Sequence, residues 1–139
     1  MSFDIIKNGI MARLKALGYQ ESKQAFTFEN AANYELGNTF ILNVVSGTAR
    51  TEESQRIGSS LYDHEVWEVK IAFKKSGKND VIVRDDIQRK RQELLSDLDD
   101  ADNWQSFAKF LRFEAWEVDA LDDYVVLKIE LYIVDEITY

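Results

Sequence analysis

The sequence contains no cysteine and no proline among its 139 residues, and its only histidine is His64. Without cysteine the chain forms no disulfide and offers no thiolate for catalysis, zinc or an iron–sulfur cluster. A single histidine also excludes an imidazole-rich metal site within one chain. The six glycines are scattered singly, so no glycine-rich phosphate-binding loop is present. We therefore expect no cofactor and no metal.

Long apolar runs are also missing. No stretch approaches the roughly 18 to 20 consecutive apolar residues of a membrane-spanning helix, and residues 1–4 do not begin a secretory signal. We therefore expect a cytoplasmic protein that does not associate with a membrane. A formal net charge of −8 disfavours binding to nucleic-acid phosphates and favours solubility. With 45% hydrophobic residues, the chain can bury one core, which predicts a single domain over residues 1–139.

Two segments have the apolar spacing of helices that bury one face. The first runs from Phe3 to Leu17 and is followed by Gly18, a residue that commonly ends helices. The second begins after a cap at Asn79 or Asp80, and Arg91 completes its buried stripe with an apolar stem. The apolar positions of these two stripes are Phe3, Ile6, Ile10, Leu14 and Leu17, then Val83, Ile87, Leu94 and Leu98.

Alternating or continuous apolar residues predict the strands. The expected strands are 25–29, 40–45, 67–73, 111–118 and 124–134, and a long polar hairpin loop is expected at about 46–62. The segment 40–45 is apolar throughout, which is typical of a strand that is covered on both faces or lies at a subunit contact. The order α-β-β-β-α-β-β predicts an α+β fold, a mostly antiparallel sheet with two main helices packed on one face.

The last strand carries apolar residues on both faces. Its core face is expected to run from Val125 to Ile133, whereas Val126, Tyr132 and Val134 lie on the opposite face. A face that contacts only solvent has no need of apolar side chains. We therefore expect this second face to meet a neighbouring subunit, the more so because no proline protects an edge strand from pairing with another chain.

Three groups of residues superficially suggest chemistry. His64 has Asp63 and two serines nearby, but no nucleophile elbow surrounds either serine, so a structural or solvated histidine is favoured. The acidic run 97–102 lacks the glycine and the bidentate glutamate of a calcium loop. Glu68 and Lys70 share one face of a strand and resemble the acid and lysine of restriction-type nucleases, although the preceding strand offers only Asn43 as a further ligand. The polar face of an amphipathic strand is the simpler interpretation, and a metal-dependent nuclease remains the alternative.

Several segments, in their order along the chain, resemble tail terminator proteins of long-tailed bacteriophages, the lambda-like family of minor tail proteins. They are Asn38 to Gly47, the polar loop to Tyr62, the strand Val66 to Phe73 that carries Trp67, and the two closing strands. The resemblance covers nearly the whole chain by element order and contains no catalytic motif, and it implies a structural protein and no enzyme.

The resemblance implies a homo-oligomer, a hexameric ring on the last ring of tail-tube protein. Such a ring stops tube elongation and offers a head-tail joining surface to a head completion or neck connector protein. It belongs to the virion tail and is assembled in the host cytoplasm, and DNA passes through its bore without specific binding. A related neck or head-tail joining protein is the nearest alternative. Within this interpretation we expect Arg50, Glu53 and Arg56 of the polar loop to contact a neighbour or the tail tube.

Overall fold

The computed structural model describes residues 3–21, 38–51, 60–75, 79–121 and 124–138. These contain two α-helices, a 3-10 helix and five strands. The helices are α1 (Phe3–Ala16) and α2 (Asp80–Asp99), and the 3-10 helix is Ala101–Asn103. The strands are β1 (Gln20–Glu21), β2 (Thr39–Thr51), β3 (Ser60–Lys74), β4 (Phe110–Leu121) and β5 (Tyr124–Thr138). Within these ranges no helix has the length and apolar character to span a membrane.

The five strands form one sheet in the order β1-β2-β3-β5-β4. Strand β1 runs parallel to β2, and every other neighbouring pair is antiparallel. The chain is therefore an α+β protein with a mostly antiparallel sheet, as the sequence pattern predicts. Strands β2 and β4 stand near opposite sides of this sheet, while β3 and β5 occupy its centre.

Both helices pack on the same face of the sheet. The inward side chains of β3 and β5 alternate with outward ones because successive residues of a strand point to opposite faces. They meet most of the predicted apolar stripes of α1 and α2 in one continuous core, whereas Phe3 of the first stripe is 52% exposed. The largest fully buried side chains of this core are Ile6, Ile10, Leu14, Phe40, Trp67, Ile71, Ile87, Leu94, Leu127, Ile129 and Leu131. Fully burying each large apolar side chain stabilises the fold by roughly 1.5–3 kcal/mol.

The ends of the two helices also follow the sequence prediction. Gly18 adopts a left-handed φ of 96° after α1, a conformation that costs little without a Cβ. The Tyr19 amide then donates to the Leu14 carbonyl at 3.1 Å. At the start of α2, the Asn79 side-chain oxygen accepts from the Ile82 amide at 3.0 Å and caps the helix.

Tertiary contacts explain the acidic residues at the end of α2, where the helix dipole disfavours negative charge. The Arg13 guanidinium on α1 donates to both carboxylate oxygens of Asp97, with a distance of 3.1 Å from Nε to Oδ2. This bidentate pair joins the ends of the two helices. Asp100 accepts from the Asp102 amide at 3.0 Å and caps the 3-10 helix. The acidic run thus connects and ends helices.

The paired strands of the β2–β3 hairpin extend further than predicted. Strand β2 continues to Thr51 and β3 begins at Ser60, so most of the expected loop at about 46–62 belongs to paired strands. Apolar alternation did not reveal this extension because a ladder is held by backbone hydrogen bonds, whatever the polarity of its side chains. Residues 52–59, and the expected strand at 25–29, lie outside the described residues.

Candidate functional site

The face of the sheet opposite the helices carries a row of paired charges. Glu68 Oε1 lies 3.4 Å from Lys70 Nζ, and Glu68 Oε2 lies 3.5 Å from Lys128 Nζ. Lys128 Nζ also lies 3.8 Å from Glu130 Oε1, and Asn43 is opposite Glu68 on β2. Both oxygens of the candidate nuclease carboxylate therefore have lysine partners. Within the described ranges, no three His, Asp or Glu side chains are placed to hold a metal ion together.

The three residues expected to meet a neighbour on this face differ in exposure. Val126 is 7% exposed and Val134 is 8% exposed, so both valines are already buried within the chain. Tyr132 is half-buried, and its hydroxyl forms a hydrogen bond with His64 Nδ1. The Arg112 guanidinium lies 5.1 Å from the centre of the Tyr132 ring. Most of the accessible area that these three residues contribute therefore belongs to Tyr132.

The expected loop residues fall partly outside the described chain. Arg50 lies on β2, where it pairs in register with Tyr62 of β3. Glu53 and Arg56 belong to the segment 52–59 and lie outside the described residues. The placement of Arg50 puts it near the tip of the long β2–β3 hairpin.

Exposed apolar side chains mark both sides of the sheet. On β4, Phe110 is 40% exposed and Trp116 is 46% exposed. On β2, Val44 is 40% exposed and Val45 is 55% exposed. The continuous apolar pattern of 40–45 predicted a strand with cover on both faces or a subunit contact. Since these two valines remain exposed, the described residues do not supply the full cover.

The backbone edges of these two strands are also open among the described residues. Strand β1 pairs with β2 only at Thr39 and Phe40, and no described strand pairs with the outer edge of β4. Each edge strand carries one bulge, between Val44 and Ser46 on β2 and between Phe113 and Ala115 on β4. Open edges with apolar side chains are ready templates for pairing with another chain.

A cation–π contact between α2 and β4 lies at the β4 edge. The Arg91 guanidinium of α2 lies 4.4 Å from the centre of the Trp116 ring. Sequence analysis expected Arg91 to extend its stem along the core, and its charged group covers one side of the indole. Beside it, a shallow depression is lined by Ala115, Trp116, Glu117, Lys128 and Glu130. The exposed part of Trp116 is thus held in place by a neighbouring element.

Sequence analysis missed a buried carboxyl group on the core face of β3. Glu65 accepts from the Trp67 indole N–H at 2.8 Å, and Gly47 is its register partner on β2. Burial, followed by the nearby Asp63 carboxylate, raises the pKa of Glu65 to about 7. Burial also raises the pKa of Asp135, which is opposite Asp63 on β5.

A simple signal in the sequence points to this group. Glu65 precedes Trp67 by two residues, so both side chains must point to the same face of one strand. This relation was hidden because a polar loop was predicted up to residue 62 and the next strand was predicted to begin at Trp67. Extending the alternation backward places an acid in the core.

Comparison with known proteins adds no family to this description. No protein-family model matches the chain, and no curated protein matches it.

Proposed function

We propose that this chain is a structural tail assembly protein of a long-tailed bacteriophage. In this proposal it forms a ring that caps the tail tube, stops elongation and provides the joining surface for the head or neck connector. The proposal starts from the resemblance of residues 38–47, 66–73 and the closing strands to tail terminator proteins. One observation of the fold supports it best, namely the exposed apolar residues on two opposite strands of the sheet.

Two different open edges favour a ring over a two-fold dimer. A two-fold interface uses the same patch on both subunits, whereas contact between two different patches repeats head to tail. Such a repeat closes into a ring when a whole number of copies completes one full turn. Strands β2 and β4 are different patches near opposite sides of one sheet, which is the arrangement that head-to-tail association requires.

The charge of the chain suits a ring through which DNA passes. The formal net charge is −8, and Lys70 and Lys128 of the outer sheet face are paired with Glu68 and Glu130. Paired lysines offer little attraction to phosphates, and excess negative charge repels them. A bore lined by such a surface would let DNA slide without specific binding.

The proposal is tested by light scattering of the purified chain, alone and with the tail-tube protein of a long-tailed phage. We expect a ring-sized oligomer that forms, or becomes more stable, on the tube, and tubes that stop growing when the chain is added during polymerisation. A chain that stays monomeric at every concentration, does not bind tubes and does not limit their length would contradict the proposal.

Charge reversal at Arg50 and Arg56 tests the expected partner contacts. We expect Arg50→Glu combined with Arg56→Glu to weaken assembly or tube binding, because repulsion would replace attraction at the contact. Thermal unfolding of the protomer should stay unchanged, because the two arginines are expected to act through the partner contact. The control is Lys15→Glu combined with Arg84→Glu, which changes the net charge equally at exposed helix positions. If both double variants assemble equally well, Arg50 and Arg56 do not take part in the contact.

A further inference from the structure

The outer edges of β2 and β4, which pair with few or no described residues, have the strand directions needed to pair with each other. Strands β3 and β4 both run antiparallel to β5, and β2 runs antiparallel to β3, so β2 and β4 point in opposite directions. A rotation about an axis parallel to the strands does not change these directions. In a ring built on such an axis, β4 of one copy would therefore face β2 of the next copy in antiparallel orientation. Antiparallel pairing already joins every neighbouring pair except β1 and β2.

Charge favours the pairing of β2 with β4 over the pairing of identical edges. Strand β4 carries three acidic residues, Glu114, Glu117 and Asp119, against one arginine. Strand β2 has Arg50 as its only charged residue. Two β4 edges would place acidic side chains opposite each other, which is destabilising across a strand pair. The one charged residue of β2 itself is basic, and Glu21 of β1 lies beside Phe40 at one end of this edge.

The apolar residues of the two edges would cover each other in the same arrangement. Val44 and Val45 lie beside the bulge of β2, and Phe110 and Trp116 lie on either side of the bulge of β4. A bulge interrupts a ladder and bends its strand, so continuous pairing would be limited to the segments beside each bulge. Side-chain contact around the bulges then supplies the remaining burial, at about 25 cal/mol for each Å² of apolar surface removed from water.

We infer that the outer edge of β4 in one copy binds the outer edge of β2 in a second copy, through antiparallel pairing around Trp116, Phe110 and Val45. This inference rests on the proposed ring and names its subunit interface. Every copy contributes one β2 edge and one β4 edge, so all contacts in a closed ring are the same β4–β2 contact.

The absence of native cysteine makes the interface directly testable by cross-linking. Protein with Val45→Cys is mixed with protein carrying either Trp116→Cys or Phe110→Cys and treated with a short bismaleimide. We expect a covalent dimer in at least one mixture and little from Val45→Cys alone, because a head-to-tail contact brings different positions together. Val81→Cys, at an exposed position on α2, is the matched control partner. A single chain with Val45→Cys and Trp116→Cys, or Phe110→Cys, should give a ladder that ends at the ring size.

The outcomes separate the inference from the proposed function. If the unmodified chain forms rings but neither mixture cross-links above the Val81→Cys control, the inferred β4–β2 interface is wrong. The proposed ring is then still supported. Efficient homodimers of one single-cysteine variant would also overturn the inference, since they report a two-fold contact. If cross-linking succeeds but the rings do not bind or limit tail tubes, the interface stands and the tail function fails. A chain that is monomeric in all conditions overturns both.

Discussion

Replacing Gly9 by alanine is expected to destabilise the protein, although alanine is the better helix former. A Cβ at this position would lie 2.2 Å from Phe107 Cδ1, and the Phe107 ring is itself buried in the core. Overpacking a core costs about 1–3 kcal/mol, whereas the gain in helix propensity is about 1 kcal/mol. We therefore expect the free energy of unfolding to fall by up to about 2 kcal/mol on the balance of these two effects.

Urea unfolding of Gly9→Ala measures this loss, and Asn8→Ala is the matched control. Asn8 is exposed on the same turn of α1, so its replacement should change stability by less than about 0.5 kcal/mol. In a Phe107→Leu background the smaller side chain leaves room, and the cost of Gly9→Ala should shrink or reverse. An equal effect of Gly9→Ala in both backgrounds would show that the Phe107 ring does not limit this position.

The stability of the protein is expected to fall as the pH rises toward neutrality, because of Glu65. Its pKa is raised from 4.5 to about 7 by burial and by Asp63, so the folded protein prefers the neutral acid. The stabilising contribution is complete below the unfolded pKa of 4.5 and is lost as the pH passes through the folded value of about 7. One pKa unit corresponds to about 1.4 kcal/mol, so we expect a loss of more than about 1 kcal/mol across this range. The raised pKa of Asp135 acts in the same direction.

Urea unfolding at several pH values between 4.5 and 8 measures this loss in wild-type protein and in Glu65→Gln. The glutamine retains an acceptor for the Trp67 indole N–H but cannot ionise, so its unfolding free energy should depend less on pH. It should also exceed the wild-type value above pH 7. Glu68→Gln is the control for the loss of one carboxyl group, because Glu68 lies on the opposite face of the same strand. Parallel pH profiles of wild type and Glu65→Gln would show that Glu65 does not couple proton binding to folding.

The Gly9 prediction depends on a contact that local pattern does not contain. Gly9 lies within the helix predicted from Phe3 to Leu17, but its close neighbour Phe107 is nearly a hundred residues away in sequence. Asp97 lies in the acidic run at 97–102, but its partner Arg13 lies on the other helix. A contact between distant residues follows from how elements pack, and periodicity describes only each element by itself.

The candidate interface likewise depends partly on local sequence pattern and partly on tertiary structure. The apolar segment 40–45 indicated that one strand needed cover beyond an ordinary core. Only the sheet order places β2 and β4 near opposite sides of the sheet, where Val45 and Trp116 are exposed. The tertiary structure also buries Val126 and Val134, two residues that alternation alone had assigned to an outer interface. Alternation tells which face a side chain occupies, whereas burial depends on what else covers that face.

By itself, the sequence determined the α+β class, the element order, most of both helix stripes, the cap at Asn79 and the turn at Gly18, because each depends on spacing or on the properties of one residue. The tertiary structure decided the strand order, the placement of β2 and β4 near opposite sides of the sheet, and the Arg13–Asp97 pair. These features join residues that are far apart in the chain, and their energies exist only after the elements have packed.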